Sequence, residues 1–171
     1  MALREILEFP DPRLREVGQP VTVFDDDLRQ LVEDMAETMY DAPGVGLAAT
    51  QIGVAIRLFV IDIAGEDEPS DLKVFINPEL LELDGTQVWE EGCLSFPGAT
   101  EEVKRAEVVR VRAQDEFGET FELEADGLMA VAIQHENDHL DGVLMIDKLN
   151  AIKKRLFSRK LNKAKQASAR A

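Results

Sequence analysis

The segment His135-Glu136-Asn137-Asp138-His139 constrains this chain more than any other stretch, because it holds the only two histidines in 171 residues and sets them four apart. On a helix, residues i and i+4 lie on one face, so both imidazoles can reach one ion. Glu136 follows the first histidine and points roughly a quarter-turn away. It is free to act on a water at the metal, the general-base role this pattern carries in metal-dependent hydrolases. Its surroundings read as a helix: Asp126 can cap the start, Gly142 can end it, and Leu128, Val131, Ala132, His135 and His139 form one stripe. The histidines thus continue an apolar face into the core, where an unpaired imidazole or carboxylate is costly unless something such as a metal satisfies it. Two histidines meeting by chance is the bland alternative, and a metal site explains their shared buried stripe better.

A buried metal helix needs a domain around it. With 45% hydrophobic and 31% charged residues, the chain is ordinary for one globular domain with a real core. Arg4, Glu5 and Glu8 already interrupt the start, and no apolar run approaches the roughly 20 residues of a membrane span, so we expect a cytoplasmic protein without membrane contact. The single cysteine, Cys93, excludes an intrachain disulfide and leaves its thiol as packing, nucleophile or metal ligand. Net charge is −15, unevenly spread: residues 1–147 hold 10 Lys and Arg against all 34 acids, whereas the last 24 residues carry +9. The acidic body argues against DNA as a partner, and the basic tail leaves room for a local anionic one.

Taken in order, residues 1–24 read as an extended wrap broken by Pro10, Pro12 and Pro20. Asp25 or Asp26 then caps a helix with Leu28, Leu31, Val32, Met35 and Met39 on its apolar side, ending before Pro43. Gly44 to Gly53 invites a phosphate-loop reading, but a helix precedes it, a strand over 57–63 follows, and no Lys-Ser or Lys-Thr pair is present. Taken alone, that stretch reads as a turn with Gln51 on the surface. Short strands follow at 72–76, 80–83, 86–90, 106–113 and 120–123. Sequential strands with short turns favour antiparallel pairing, so the expected class is α+β: antiparallel strands around a central metal-binding helix, with an N-terminal and a C-terminal helix. We expect residues 1–150 to form a single metallohydrolase domain and 151–171 a basic helical tail, with Ile152, Leu156 and Leu161 on its apolar side.

Two histidines require at least one further protein ligand, since catalytic zinc-type sites commonly use three and leave the fourth position to water. Cys93 is the strongest upstream candidate, its thiolate being a soft ligand suited to Zn or Fe. Downstream, only Asp141 and Asp147 could serve, as a metallopeptidase would need. A structural-metal or binding module would instead close the site with a fourth ligand such as Asp138 or Asp141.

Three stretches, Gly44 to Gln51, Glu91 to Ser95 and His135 to His139, resemble in order and spacing the three motifs of peptide deformylase. Asp138, Leu140 and Gly142 extend the last motif as that family does, and the resemblance covers most of the chain to about residue 150. It implies hydrolytic removal of the N-formyl group from the initiator formylmethionine of nascent polypeptides, releasing formate. It also implies one divalent metal ion held by Cys93, His135 and His139, Fe(II) natively, with Zn, Ni or Co possible as isolated. By the same resemblance Glu136 moves the water's proton, while the Gln51 amide and the Leu94 backbone N–H hold the oxyanion. Val45, Gly46 and Glu91 line or support the groove, and Leu128, Val131 and Ala132 help form the methionine pocket. Phe96 stands where the family more often has Val, placing an aromatic ring at the expected groove rim, and Val45 replaces a common Ile. The expected partners are formylmethionyl nascent chains and, through the basic tail, the ribosome.

Overall fold

The structure is a computed structural model that describes residues 2–65 and 67–170, with side chains to residue 167. Its elements in chain order are α1 (Asp26–Asp41), β1 (Gly46–Ala48), β2 (Leu58–Ile61), β3 (Lys73–Asp84), β4 (Gln87–Gly92), β5 (Thr100–Arg105), β6 (Val108–Gln114), β7 (Thr120–Asp126), α2 (Gly127–Leu140) and α3 (Ala151–Arg170). Five strands form an antiparallel sheet in the order β1-β2-β3-β6-β7, and β4 pairs with β5 in a separate antiparallel ribbon. The fold class is α+β.

Strand alternation divides the core between the two faces of the large sheet. In β2, Leu58 and Val60 pack towards α1 with Met35 and Met39, while Phe59 and Ile61 pack towards α2 with Ala130 and Ile133. This strand therefore reads as an unbroken apolar run, because helices cover both of its faces. Asp25 caps α1 by accepting the Leu28 N–H at 3.0 Å. Asp126 occupies the corresponding place before α2 but makes no side-chain capping bond. Gly142 ends α2 at φ +74°, where an added Cβ would lie 2.5 Å from the Arg15 carbonyl oxygen. A third cluster joins the N-terminal wrap, the ribbon and α3 through Leu7, Leu14, Phe96, Val103, Phe157 and Leu161.

Three expectations are corrected. The strands expected at 72–76 and 80–83 are one long β3, with register shifts on either side of Leu80. Asn77 adopts φ +52° there, and its side chain bonds the Val21 backbone and Gln114, which carries the strand past Pro78. The β5 strand was not expected, because Thr-Glu-Glu-Val-Lys-Arg is mostly charged. Phe96 lines the groove while almost wholly buried, stacked on Phe9 at 5.0 Å and meeting Phe157 edge-on at 5.4 Å. The inward side of α3 carries Phe157 and Leu161, whereas Ile152 and Leu156 are 72% and 48% exposed. Among the described residues no helix is long and apolar enough to cross a membrane.

Candidate metal centre

The α2 helix places His135 and His139 one turn apart on its buried side, with the rings edge to face at 5.0 Å between centroids. Cys93 arrives from the turn after β4, and one ligand atom from each of the three lies within 4.8 Å of the others. The Cys93 Sγ is 3.5 Å from His139 Nε2. One thiol and two imidazoles converging in this way form a donor set for a soft or borderline divalent ion. Asp141 and Asp147, the alternative third ligands, instead pair with Arg57 and Arg15. Asp138 is turned to Arg105 and Lys148 rather than into the site.

Behind the ligands stands a buried charge network that the sequence reading missed. His135 Nδ1 lies 2.9 Å from Glu91 Oε1, and an acceptor there requires the Nδ1–H tautomer and leaves Nε2 free towards the ion. Arg105 holds Glu91 through two 2.9 Å bonds and reaches Asp138 at 2.5 Å. Glu91 thus supports the metal ligand, with its carboxylate against His135 instead of free in the groove. Burial works against ionising Glu91, but the hydrogen bonds from Arg105 and His135 outweigh it and keep the carboxyl below its usual range. Burial likewise opposes charge on His135, yet Cys93 and Glu91 hold that imidazole well above its ordinary value. His139, buried and facing the positive charge of His135, is pushed well below. A period-two reading could have found Arg105, since Val103 and Arg105 are the buried alternates of β5.

Glu136 is 5% exposed, its Oε1 has no hydrogen-bond partner, and burial raises its carboxyl to about 7, with His135 opposing and Glu91 adding to the rise. A buried carboxylate oxygen left unpaired beside a thiol and two imidazoles fits a site that takes an ion and a water. Gln51 is 1% exposed, so the surface reading of that stretch is wrong. A short 3-10 turn, Ala49–Ile52, directs it inward. Its Oε1 accepts the Ala48 N–H at 2.9 Å, which turns the amide NH₂ towards Ser95 Oγ at 3.0 Å and Cys93 Sγ at 3.6 Å. Gly46 abuts Glu136: an added Cβ would lie 2.6 Å from its Oε2.

These groups open on a groove of about 650 Å³ lined by Val45, Gly46, Gln51, Cys93, Leu94 and Glu136. A side cavity of about 210 Å³ adjoins it, lined by Val45, Trp89, Leu128, Val131 and Ala132 together with His135 and Glu136. A larger cleft of about 1030 Å³ runs along α1 past Val32, Tyr40 and Phe117. It contains neither thiol nor imidazole, so its size does not make it the reactive site.

The family model for polypeptide deformylase matches residues 3–155. The peptide deformylase of Alkalilimnicola ehrlichii is 55% identical over 163 residues, covering 95% of this chain and 91% of that protein. That of Cellvibrio japonicus is 54% identical over 171 residues, covering 99% and 100%. Among solved structures, a peptide deformylase from Legionella pneumophila superposes with a TM-score of 0.93 at 50% identity, covering 99% of each chain. One from Synechococcus elongatus, in complex with actinonin, gives 0.86 at 42% identity and covers 97% and 88%.

Proposed function

The chain belongs to the polypeptide deformylase family, whose members remove the formyl group from nascent peptides, and on that premise we propose how its own residues divide the work. Cys93, His135 and His139 would hold a divalent ion, which when bound would supply Lewis acidity and make a water more acidic. Glu136 takes the proton from the attacking water and delivers it to the departing amine as the carbon–nitrogen bond breaks, releasing formate. The Gln51 amide and the Leu94 N–H receive the negative charge developing on the formyl oxygen. Val45 and Gly46 border the extended substrate, and the apolar side cavity at Leu128, Val131 and Ala132 takes the methionine side chain. The observation that carries this assignment is the partnerless Glu136 Oε1, buried beside the converging thiol and imidazoles.

The thiolate with two imidazoles suits Fe(II), and we propose it as the native ion, with Zn, Ni or Co as replacements acquired on isolation. Anaerobic purification, metal analysis and a formate-release assay on a formyl-methionyl peptide and its acetyl analogue test the whole reading. Iron content with activity on the formyl peptide alone is expected, and equal activity on both peptides would overturn it.

Residues 1–150 are proposed as the hydrolase unit, acting in the cytoplasm, and 151–171 as a basic helix that docks on ribosomal RNA. Two of its cations are engaged elsewhere: Lys160 faces Glu101 at 3.7 Å and Lys165 donates to the Phe9 carbonyl at 2.6 Å. The docking face therefore falls to the exposed Lys154, Arg155, Arg159 and Lys163. Replacing these four by glutamate should abolish salt-sensitive co-sedimentation with ribosomes while turnover of a short formyl peptide persists. Unchanged co-sedimentation would remove the docking role.

A further inference from the structure

The two cavities of the proposed site are lined, among the described residues, by four charged side chains other than the histidines and Cys93, and all four are carboxylates: Glu8, Glu90, Glu91 and Glu136. No lysine or arginine lines either cavity. Glu91 is neutralised by Arg105 and Glu136 stands at the reacting centre, which leaves Glu8 and Glu90 at the mouth. Glu90 accepts the Thr100 hydroxyl at 2.7 Å. Glu8 has no ion-pair partner among the described residues.

The backbone fixes where Glu8 points. The Leu7 N–H donates to the Gln51 carbonyl at 2.7 Å and the Phe9 N–H to the Ser95 carbonyl at 2.8 Å, so the segment lies extended beside the two polar residues of the site. Successive side chains of an extended segment alternate. Leu7 is buried in the core and Phe9 stacks on Phe96, whereas Ile6 and Glu8 line the groove. Lys165 donates to the carbonyl of the neighbouring Phe9 and forms no ion pair with Glu8. A peptide leaving the reacting centre along this groove thus passes an unpaired carboxylate held on a rigid backbone.

We propose that Glu8 is a specificity-determining residue that favours formylmethionyl peptides carrying lysine or arginine within the two or three residues after methionine. The inference rests on the deformylase reading of the site. Glu8 touches none of the reacting atoms, and it acts by placing negative charge where a basic side chain, about 6 Å long, can reach it from an extended backbone rising about 3.4 Å per residue.

The test uses the purified metal-loaded enzyme and formyl-Met tetrapeptides with lysine, glutamine or glutamate at the second, third or fourth position. At low salt, kcat/KM should fall in the order lysine, glutamine, glutamate at one of these positions. The expected lysine-to-glutamine ratio is about two- to fivefold, the range of an exposed ion pair, carried by KM and shrinking towards one at roughly 0.5 M salt. In Glu8→Gln the ratio should collapse to one, and in Glu8→Lys it should invert. Each ratio is taken within one preparation, so a difference in active fraction between variants cancels. A parent ratio of one at every position overturns the proposal. A ratio that survives Glu8→Gln overturns it too, since the preference would then come from the acidic body as a whole. Formate release from none of the peptides would instead strike the deformylase reading on which the proposal stands.

Discussion

Gly46→Ala separates catalysis from stability in this protein. The new Cβ would start 2.6 Å from Glu136 Oε2, 3.0 Å from its Cδ and 3.1 Å from its Cγ. Ordinary contact requires about 3.5 Å or more, so the carboxylate must retreat by nearly an ångström. Gly46 is not at positive φ and sits in β1, so alanine brings no backbone strain, and its gain of about 0.4–1 kcal/mol through the unfolded chain offsets part of the cost of about 1–3 kcal/mol for crowding the buried carboxylate. Displacements of about 1 Å near the chemistry cost up to about 100-fold, so kcat should drop by roughly 10- to 100-fold. Metal content should remain stoichiometric, because none of Cys93, His135 or His139 is among the three closest neighbours of the added Cβ. Steady-state formate release, metal analysis and a thermal melt on one preparation read all three quantities. Full kcat would show that Glu136 does not work from the position described here. Metal loss in step with activity would show that the carboxylate holds the ion rather than moving a proton.

Glu136→Gln should keep its metal and lose about 10² to 10⁴-fold in turnover, as expected for removal of a proton carrier, with elemental analysis separating this from loss of a ligand. Gln51→Ala should lower kcat by about 10²-fold or more with little change in KM, and an unchanged kcat would remove it from the oxyanion site. Arg105→Met leaves Glu91 and Asp138 without their shared cation, so urea denaturation should register a loss of about 3–5 kcal/mol, and metal affinity should weaken by about 10- to 100-fold. Asp34 keeps its carboxyl below the usual range through Gln30, the Ala2 N–H and Arg4, against the opposing effect of burial. Its stabilisation is therefore present above the unfolded value of about 3.9 and is lost as pH falls through the lower folded value. The stability gap between the parent and Asp34→Asn, measured by urea midpoint, should shrink below about pH 4. A gap independent of pH between about 3 and 6 would contradict that assignment.

The helices were legible because caps and period agreed: Asp25 before α1 and Gly142 after α2 stand where the chain said they would. Most of the apolar stripes of α1 and α2 is buried, although Leu31 is half-buried and Leu128 is exposed beside the side cavity. Strand ends were less readable, since Asn77-Pro78 looks like a break until Val21 and Gln114, remote in sequence, satisfy the asparagine amide. The charged β5 was not assigned as a strand, because the partners that bury Arg105 lie 14 and 33 residues away. Gln51 was hidden for a related reason. An amide in a glycine-rich stretch looks exposed, and only the tertiary placement of Ser95 and Cys93 gives it something to bond. The converging thiol and imidazoles came from residue type and spacing, whereas the shell that orients them came from contacts across the fold.

The cluster joining Leu7 and Leu14 to Phe157 and Leu161 also sets an order of events during synthesis. Domains form from the N-terminus as the chain emerges, but here the first apolar anchors wait for side chains made only after the whole metal site. Phe96, stacked on Phe9, likewise lacks the edge contact of Phe157 until α3 has been translated. A ribosome-bound fragment ending near residue 150 therefore carries every residue of the metal site with one of its supporting cores unfinished. An enzyme that acts on chains still being made completes its own packing only after its metal site has left the peptidyl-transfer centre and α3 has followed.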